Sequence, residues 1–151
     1  CIRDSHIPVV MTPGISAAQA AASSLSVSLT ERVQARRLQF ITGHSHQGIL
    51  PEDLDWSALS DPTVTTVIYM PRKTLSDWVL QALAHGLDPS TPAVAMMSAS
   101  LPQERHVAAP IATLPQAITD LDQTGPVLVL VGSVLRGCLS VSDRKAYALV
   151  A

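Results

Sequence analysis

Thr65-Thr66-Val67-Ile68-Tyr69-Met70, then Leu75, Trp78, Val79, Ala82 and Leu83 on the way to Gly86, then Ala93-Val94-Ala95-Met96-Met97: this stretch decides the fold. The first and last runs are apolar without alternation, the pattern of strands buried on both faces. The middle residues recur at i, i+3, i+4, i+7 and i+8, which lines them up on one helical stripe. Thr74 and Asp77 stand as a capping-box-like start, and Gly86 stands as the stop. A buried strand, a helix and a second buried strand predict a layered α/β structure.

The same alternation continues on both sides. Strands are expected at residues 8–11, 38–42, 65–70, 93–97, 106–109 and 127–131, and helices at 16–25, 75–85 and 114–121, the last following Thr113 with Gln116 three residues on. Strands and helices in alternation predict a mixed, mostly parallel sheet of five or six strands with helices on both faces. The strand at 106–109 follows its predecessor after a short turn through Pro102, so those two form an antiparallel hairpin. Residues 45–58 are polar and punctuated by Gly and Pro, which reads as a loop.

With 151 residues the chain fits one domain, residues 1–151, and that size buries roughly 70% of the surface of the unfolded chain. Apolar residues make up 47% and aromatics 3%, so Val, Leu, Ile and Ala must build the core. A net charge of -2 without a basic run leaves no electrostatic footprint for nucleic acid. The apolar runs fall far short of the ~20 residues that cross a bilayer, so no membrane partner is expected. Cys1 and Cys138 form neither a disulfide framework nor a ligand set, and a reducing cytoplasm is the expected setting. His44 and His46 at i, i+2 have no convincing third and fourth ligands, so no metal is expected. Gly43-His44-Ser45-His46-Gln47 lacks the second Gly of a nucleophile elbow.

Pro13-Gly14-Ile15-Ser16-Ala17, Leu29-Thr30-Glu31-Arg32, Ile41-Thr42-Gly43-His44, Asp55-Trp56, Tyr69-Met70, Pro102-Gln103 and Val129-Leu130-Val131-Gly132 recur in a characteristic order. Together they make residues 13–135 resemble the C-terminal domain of the uroporphyrinogen-III C-methyltransferases, within the tetrapyrrole methylase family. The resemblance implies S-adenosyl-L-methionine as cofactor and uroporphyrinogen III, a tetrapyrrole bearing eight carboxylates, as substrate, on the route to siroheme and cobalamin. It implies cofactor contacts at Ser16, Ala17, Met70, Ala99, Pro126 and Val127, substrate contacts at Arg32 and His44, and a homodimer. No residue is assigned a catalytic acid-base role, because methyl transfer to a nucleophilic carbon depends chiefly on alignment.

Two features depart from the family pattern. Pro71 stands where Gly usually follows the Met, removing an N–H and fixing φ. Glu31 stands where His is commoner, lowering the positive charge around Arg32. The opening Cys1-Ile2-Arg3-Asp4 runs directly into an apolar segment, which reads as a cut inside a longer protein whose N-terminal domain is missing. On that reading the fragment is inactive alone. Two other readings stay open: a non-catalytic adenosyl-binding or assembly module, and a methylase acting on a later corrin precursor.

Overall fold

The computed structural model describes residues 8–119 and 125–139. Their elements are α1 (Ala17–Leu25), β1 (Arg37–Thr42), α2 (Trp56–Leu59), β2 (Val64–Tyr69), α3 (Leu75–Ala84), β3 (Pro92–Met97), β4 (Arg105–Pro110), α4 (Leu114–Thr119), β5 (Val127–Val131) and a 3-10 helix at Ser133–Cys138. The strands form one mixed sheet in the order β1-β2-β5-β3-β4.

All five residues of β5 are buried, and alternate side chains face opposite layers. Val127, Val129 and Val131 join Ile68, Ala93, Ala95 and Met97 beneath Leu59 of α2, Trp78 and Val79 of α3, and Leu114 of α4. Leu128 and Leu130 join Val67, Val94 and Met96 beneath Ala18 and Ala21 of α1 and Leu135 of the 3-10 helix. Each Val or Leu so enclosed contributes about 1.5–3 kcal/mol relative to exposure. On the first face, the Trp78 ring meets Trp56 with centroids 6.1 Å apart.

The mixed five-stranded sheet with helices on both faces agrees with the sequence expectation, as does the β3-β4 hairpin, which runs in register from Pro92↔Pro110 to Met97↔Arg105. The expected parallel majority needs correction. Among the described residues only β1 and β2 pair in parallel, while β5 runs antiparallel to both β2 and β3. The segment β2-α3-β3 therefore crosses over one strand position, and the last strand fills the gap.

Three local expectations also change. Residues 8–11 form no strand and lie exposed, Val10 at 90% and Met11 at 81%; an apolar run without a neighbouring strand gains no ladder. The expected loop at 45–58 ends in the start of α2, where the Asp55 carboxylate accepts from Ser57 N at 3.1 Å and Ala58 N at 3.2 Å. Thr74 occupies the N-cap of α3 but makes no side-chain cap bond; its hydroxyl donates to the Gly43 carbonyl instead. The expected helix at 114–121 is described as α4 to Thr119, and residues 120–121 lie outside the described residues. Among the described residues no helix is long and apolar enough to cross a membrane.

Three carboxylates secure loop and helix starts, and each is held below the usual value of 3.8. Asp55 is lowered chiefly by the Ser57 hydroxyl, Asp61 by Thr63 with help from Arg37, and Asp88 by the Ser90 hydroxyl. A carboxyl whose folded value is depressed contributes stability that is complete above its unfolded value and disappears as pH falls through the folded one. The denaturation midpoint should therefore be flat from pH 7 to about pH 5 and fall below about pH 4, and Asp61→Asn should flatten part of that fall. Urea titrations from pH 7 to pH 3 measure this; an unchanged midpoint at pH 3 would contradict it.

Candidate functional site

Because β1, β2 and β3 run in one direction, their carboxyl ends share one edge of the sheet, where loops and turn backbones are free to meet a ligand. Along that edge lie the Thr42-Gly43-His44 turn after β1, Met70 after β2, Pro126-Val127 entering β5, and Ser98-Ala99 after β3. Two hydrogen bonds fasten the row, Met70 N to Val127 O at 3.1 Å and Ser98 N to Pro126 O at 3.0 Å. Met70 at φ 55° and Ser98 at φ 52° are both left-handed, a conformation that costs a non-glycine residue about 1–3 kcal/mol and concentrates at functional sites. Beside them, a Cβ on Gly125 would come within 2.5 Å of the Ser98 Oγ.

The predicted cofactor residues Met70, Ala99, Pro126 and Val127 are thus brought together. Met70 is 48% exposed, Ala99 is partly buried, Pro126 is exposed, and Val127 is closed into the core. No donor among the described residues reaches the Met70 or Ala99 carbonyl. Ser16 and Ala17 open α1, where Gln19 Oε1 accepts from Ser16 N at 3.1 Å. The next residue, Ala18, shares one apolar cluster with Leu128 and Ala99, which ties α1 to the β5 face.

His44 joins this edge through its turn. Gly43 N donates to Tyr69 O at 2.7 Å, and a Cβ on Gly43 would lie 2.6 Å from Pro71 Cα and 2.7 Å from Pro71 Cβ. The ring Nδ1 of His44 donates to Ser45 O at 2.9 Å. Arg32 is not brought to the group. It lies exposed in the tight turn closed by the Glu31–Ala35 bridge, which feeds the amino end of β1.

Sequence reasoning passed over Ser98, whose left-handed backbone has no signature in the side chain, and the use of Thr74 as a tertiary donor. It also assigned nothing to a cavity of about 310 Å³ at the opposite edge of the sheet, lined by Thr66, Asp88, Ser90, Ser133 and Arg136 among others. Among the described residues no group of three His, Cys, Asp or Glu could hold a metal ion.

Gly43 is needed for close approach rather than for a positive φ. Gly43→Ala should cost about 1–3 kcal/mol, the usual cost of overpacking against backbone that cannot give way. Chemical denaturation measures it; an unchanged midpoint would mean that the turn moves off Pro71 freely.

A family model of tetrapyrrole (corrin/porphyrin) methylases matches residues 1–115. The chain is 36% identical over 135 residues to the siroheme synthase of Nitrosomonas europaea, covering 89% of this chain and 28% of that protein. It is 37% identical over 133 residues to the uroporphyrinogen-III C-methyltransferase of Paracoccus denitrificans, covering 88% of this chain and 46% of that protein. The structure resembles that of uroporphyrin-III C-methyltransferase from Thermus thermophilus complexed with S-adenosylhomocysteine, at 26% identity and a TM-score of 0.70 over 90% of this chain and 57% of that one. The chain thus spans less than half the length of both curated relatives. The motifs along the strand ends, the mixed sheet and the family match agree, and the chain belongs to the tetrapyrrole (corrin/porphyrin) methylases.

Proposed function

We propose that this chain contributes the cofactor-facing edge and one wall of the substrate trough of an S-adenosylmethionine-dependent C-methyltransferase acting on uroporphyrinogen III. The observation that carries the proposal is the convergence of Met70, Ala99, Pro126 and Val127 on one sheet edge, fastened by Met70 N to Val127 O and Ser98 N to Pro126 O. The chemistry of that edge suits an adenosine. The Met70 and Ala99 carbonyls can accept from its amino and hydroxyl groups, and the small Ala17 and Ala99 side chains let a ring lie close to backbone.

When bound, S-adenosylmethionine supplies an electrophilic methyl group on its sulfonium. The residues of this chain bind and orient. The rigid edge fixes the adenosine, and the His44 turn bounds the tetrapyrrole side. Alignment of this kind contributes on the order of 7–11 kcal/mol to a two-reactant transfer, so a site without a nucleophile or charge relay is adequate. A second domain, in keeping with the greater length of the relatives, is proposed to close the cleft against water, and homodimerisation is proposed on exposed apolar side chains such as Val33, Phe40 and Leu101. The reading carries a cytoplasmic, reducing setting, which suits the free Cys138, whose thiol burial pushes up in pKa.

Titration of the isotope-labelled chain with S-adenosylhomocysteine tests the site directly. Binding should be weak, in the millimolar range, because two or three charge-assisted contacts worth roughly 1.5–3 kcal/mol each are assigned to the proposed second domain. Amide shifts should cluster at Ala17, Met70, Ala99 and Val127, and Ser16→Leu should abolish them. Shifts clustering around Ser90 and Arg136, or none at all at 10 mM ligand, about ten times a millimolar dissociation constant, would overturn the assignment.

Self-association is the second expectation. Sedimentation at rising protein concentration should give a mass above that of one chain; a single-chain mass throughout would remove the dimer from the proposal.

A further inference from the structure

Thr74 stands where a helix N-cap normally spends its side chain on its own helix, and it does not do so. Its residue is 3% exposed, and its hydroxyl donates across 31 positions of sequence to the carbonyl of Gly43. The backbone completes the junction. Thr74 N donates to Pro71 O at 2.9 Å, Gly43 N donates to Tyr69 O at 2.7 Å, and Gly43 leaves no room for a Cβ above Pro71. The turn after β1 is thus held through both its donor and its acceptor by the turn after β2. These two turns carry His44 and Met70, the residues assigned to opposite sides of the reaction.

We infer that Thr74 is a positioning residue that makes the two turns move as one body, so that the His44 side of the cleft keeps its register with the Met70 side. The inference rests on the proposed methyltransferase site for its purpose, but the coupling can be measured without catalysis. The Met70 turn has its own anchor in Val127 O, so loss of the Thr74 hydroxyl should free the His44 turn and leave Met70 in place. Removing the hydroxyl also leaves the Gly43 carbonyl buried without a donor, which drives that turn outward.

The test uses amide exchange and S-adenosylhomocysteine titration on the intact chain. In the wild type, Gly43 and Met70 amides should open with constants within threefold of each other, and ligand that shifts Met70 should shift the His44 ring signals too. In Thr74→Val, Gly43 should exchange at least tenfold faster with Met70 unchanged, and the His44 response to ligand should vanish while the Met70 response stays. Thr74→Ser, which keeps the hydroxyl, should restore both. Independent opening of Gly43 in the wild type overturns the inference even if Thr74→Val fails to fold, and so does a Thr74→Val chain that keeps the His44 response. Absence of any ligand shift at Met70 in the wild type overturns the proposed site instead, and the exchange data then judge the coupling alone.

Discussion

The antiparallel insertion of β5 between β2 and β3 is the constraint on which the rest depends. Its five residues are buried on both faces, so the strand serves two cores at once, and among the described strands it joins the β1-β2 pair to the β3-β4 pair. The candidate site is a by-product of that insertion. Pro126 and Val127 enter the sheet at the level where β2 and β3 leave it, and their carbonyls take up the N–H groups of Ser98 and Met70. Without β5 those two turns would have no common reference, and a ligand lying across them would meet two independent loops.

The register follows from the same strand. Tyr69 pairs with Leu128 and Met97 with Val127, so β2 and β3 end within one residue of each other against β5. A slip of two residues on either side would keep every apolar side chain on its proper face and still separate Met70 from Ala99. Packing alone therefore does not specify the site. The caps at the strand ends do: Met70 and Ser98 turn left-handed where they meet Val127 and Pro126, and the chain returns through Gly125, whose missing Cβ leaves space for the Ser98 hydroxyl. At the other end, Gly132 N donates to Pro92 O at 2.9 Å and stops the ladder.

What was legible in the sequence was whatever is local. The apolar runs at β2, β3 and β5 and the spacing of Leu75, Trp78, Val79 and Ala82 announce their elements because burial and periodicity act over a few residues. The position of β5 was not legible. A buried strand reads the same whether its neighbours run parallel or antiparallel, and its partners lie 30 to 65 residues away in sequence. Residues 8–11 show the converse failure, a strand-like run that stays exposed because composition says nothing about whether a neighbour exists. Met70, Ala99, Pro126 and Val127, singled out by their resemblance to family positions at strand ends, come to one edge of the sheet. Arg32, found the same way, sits apart because its motif lies in a turn before a strand rather than after one.

Pro71 brings these threads together. A residue preceding proline is pushed away from helical conformations toward extended ones, yet Met70 holds a left-handed φ of 55° directly before Pro71. Two contacts outside the turn hold it there. On one side Val127 O takes the Met70 N–H; on the other the buried Pro71 ring fills the space that Gly43 leaves open. Replacing a flexible glycine by proline at this point removes a donor that a ligand could have used, and in exchange it gives the Met70 turn a rigid wedge against its neighbour. The strained backbone at Met70 is thus set by the central strand and by the adjacent turn together, which places the candidate cofactor edge where two separately built parts of the sheet meet.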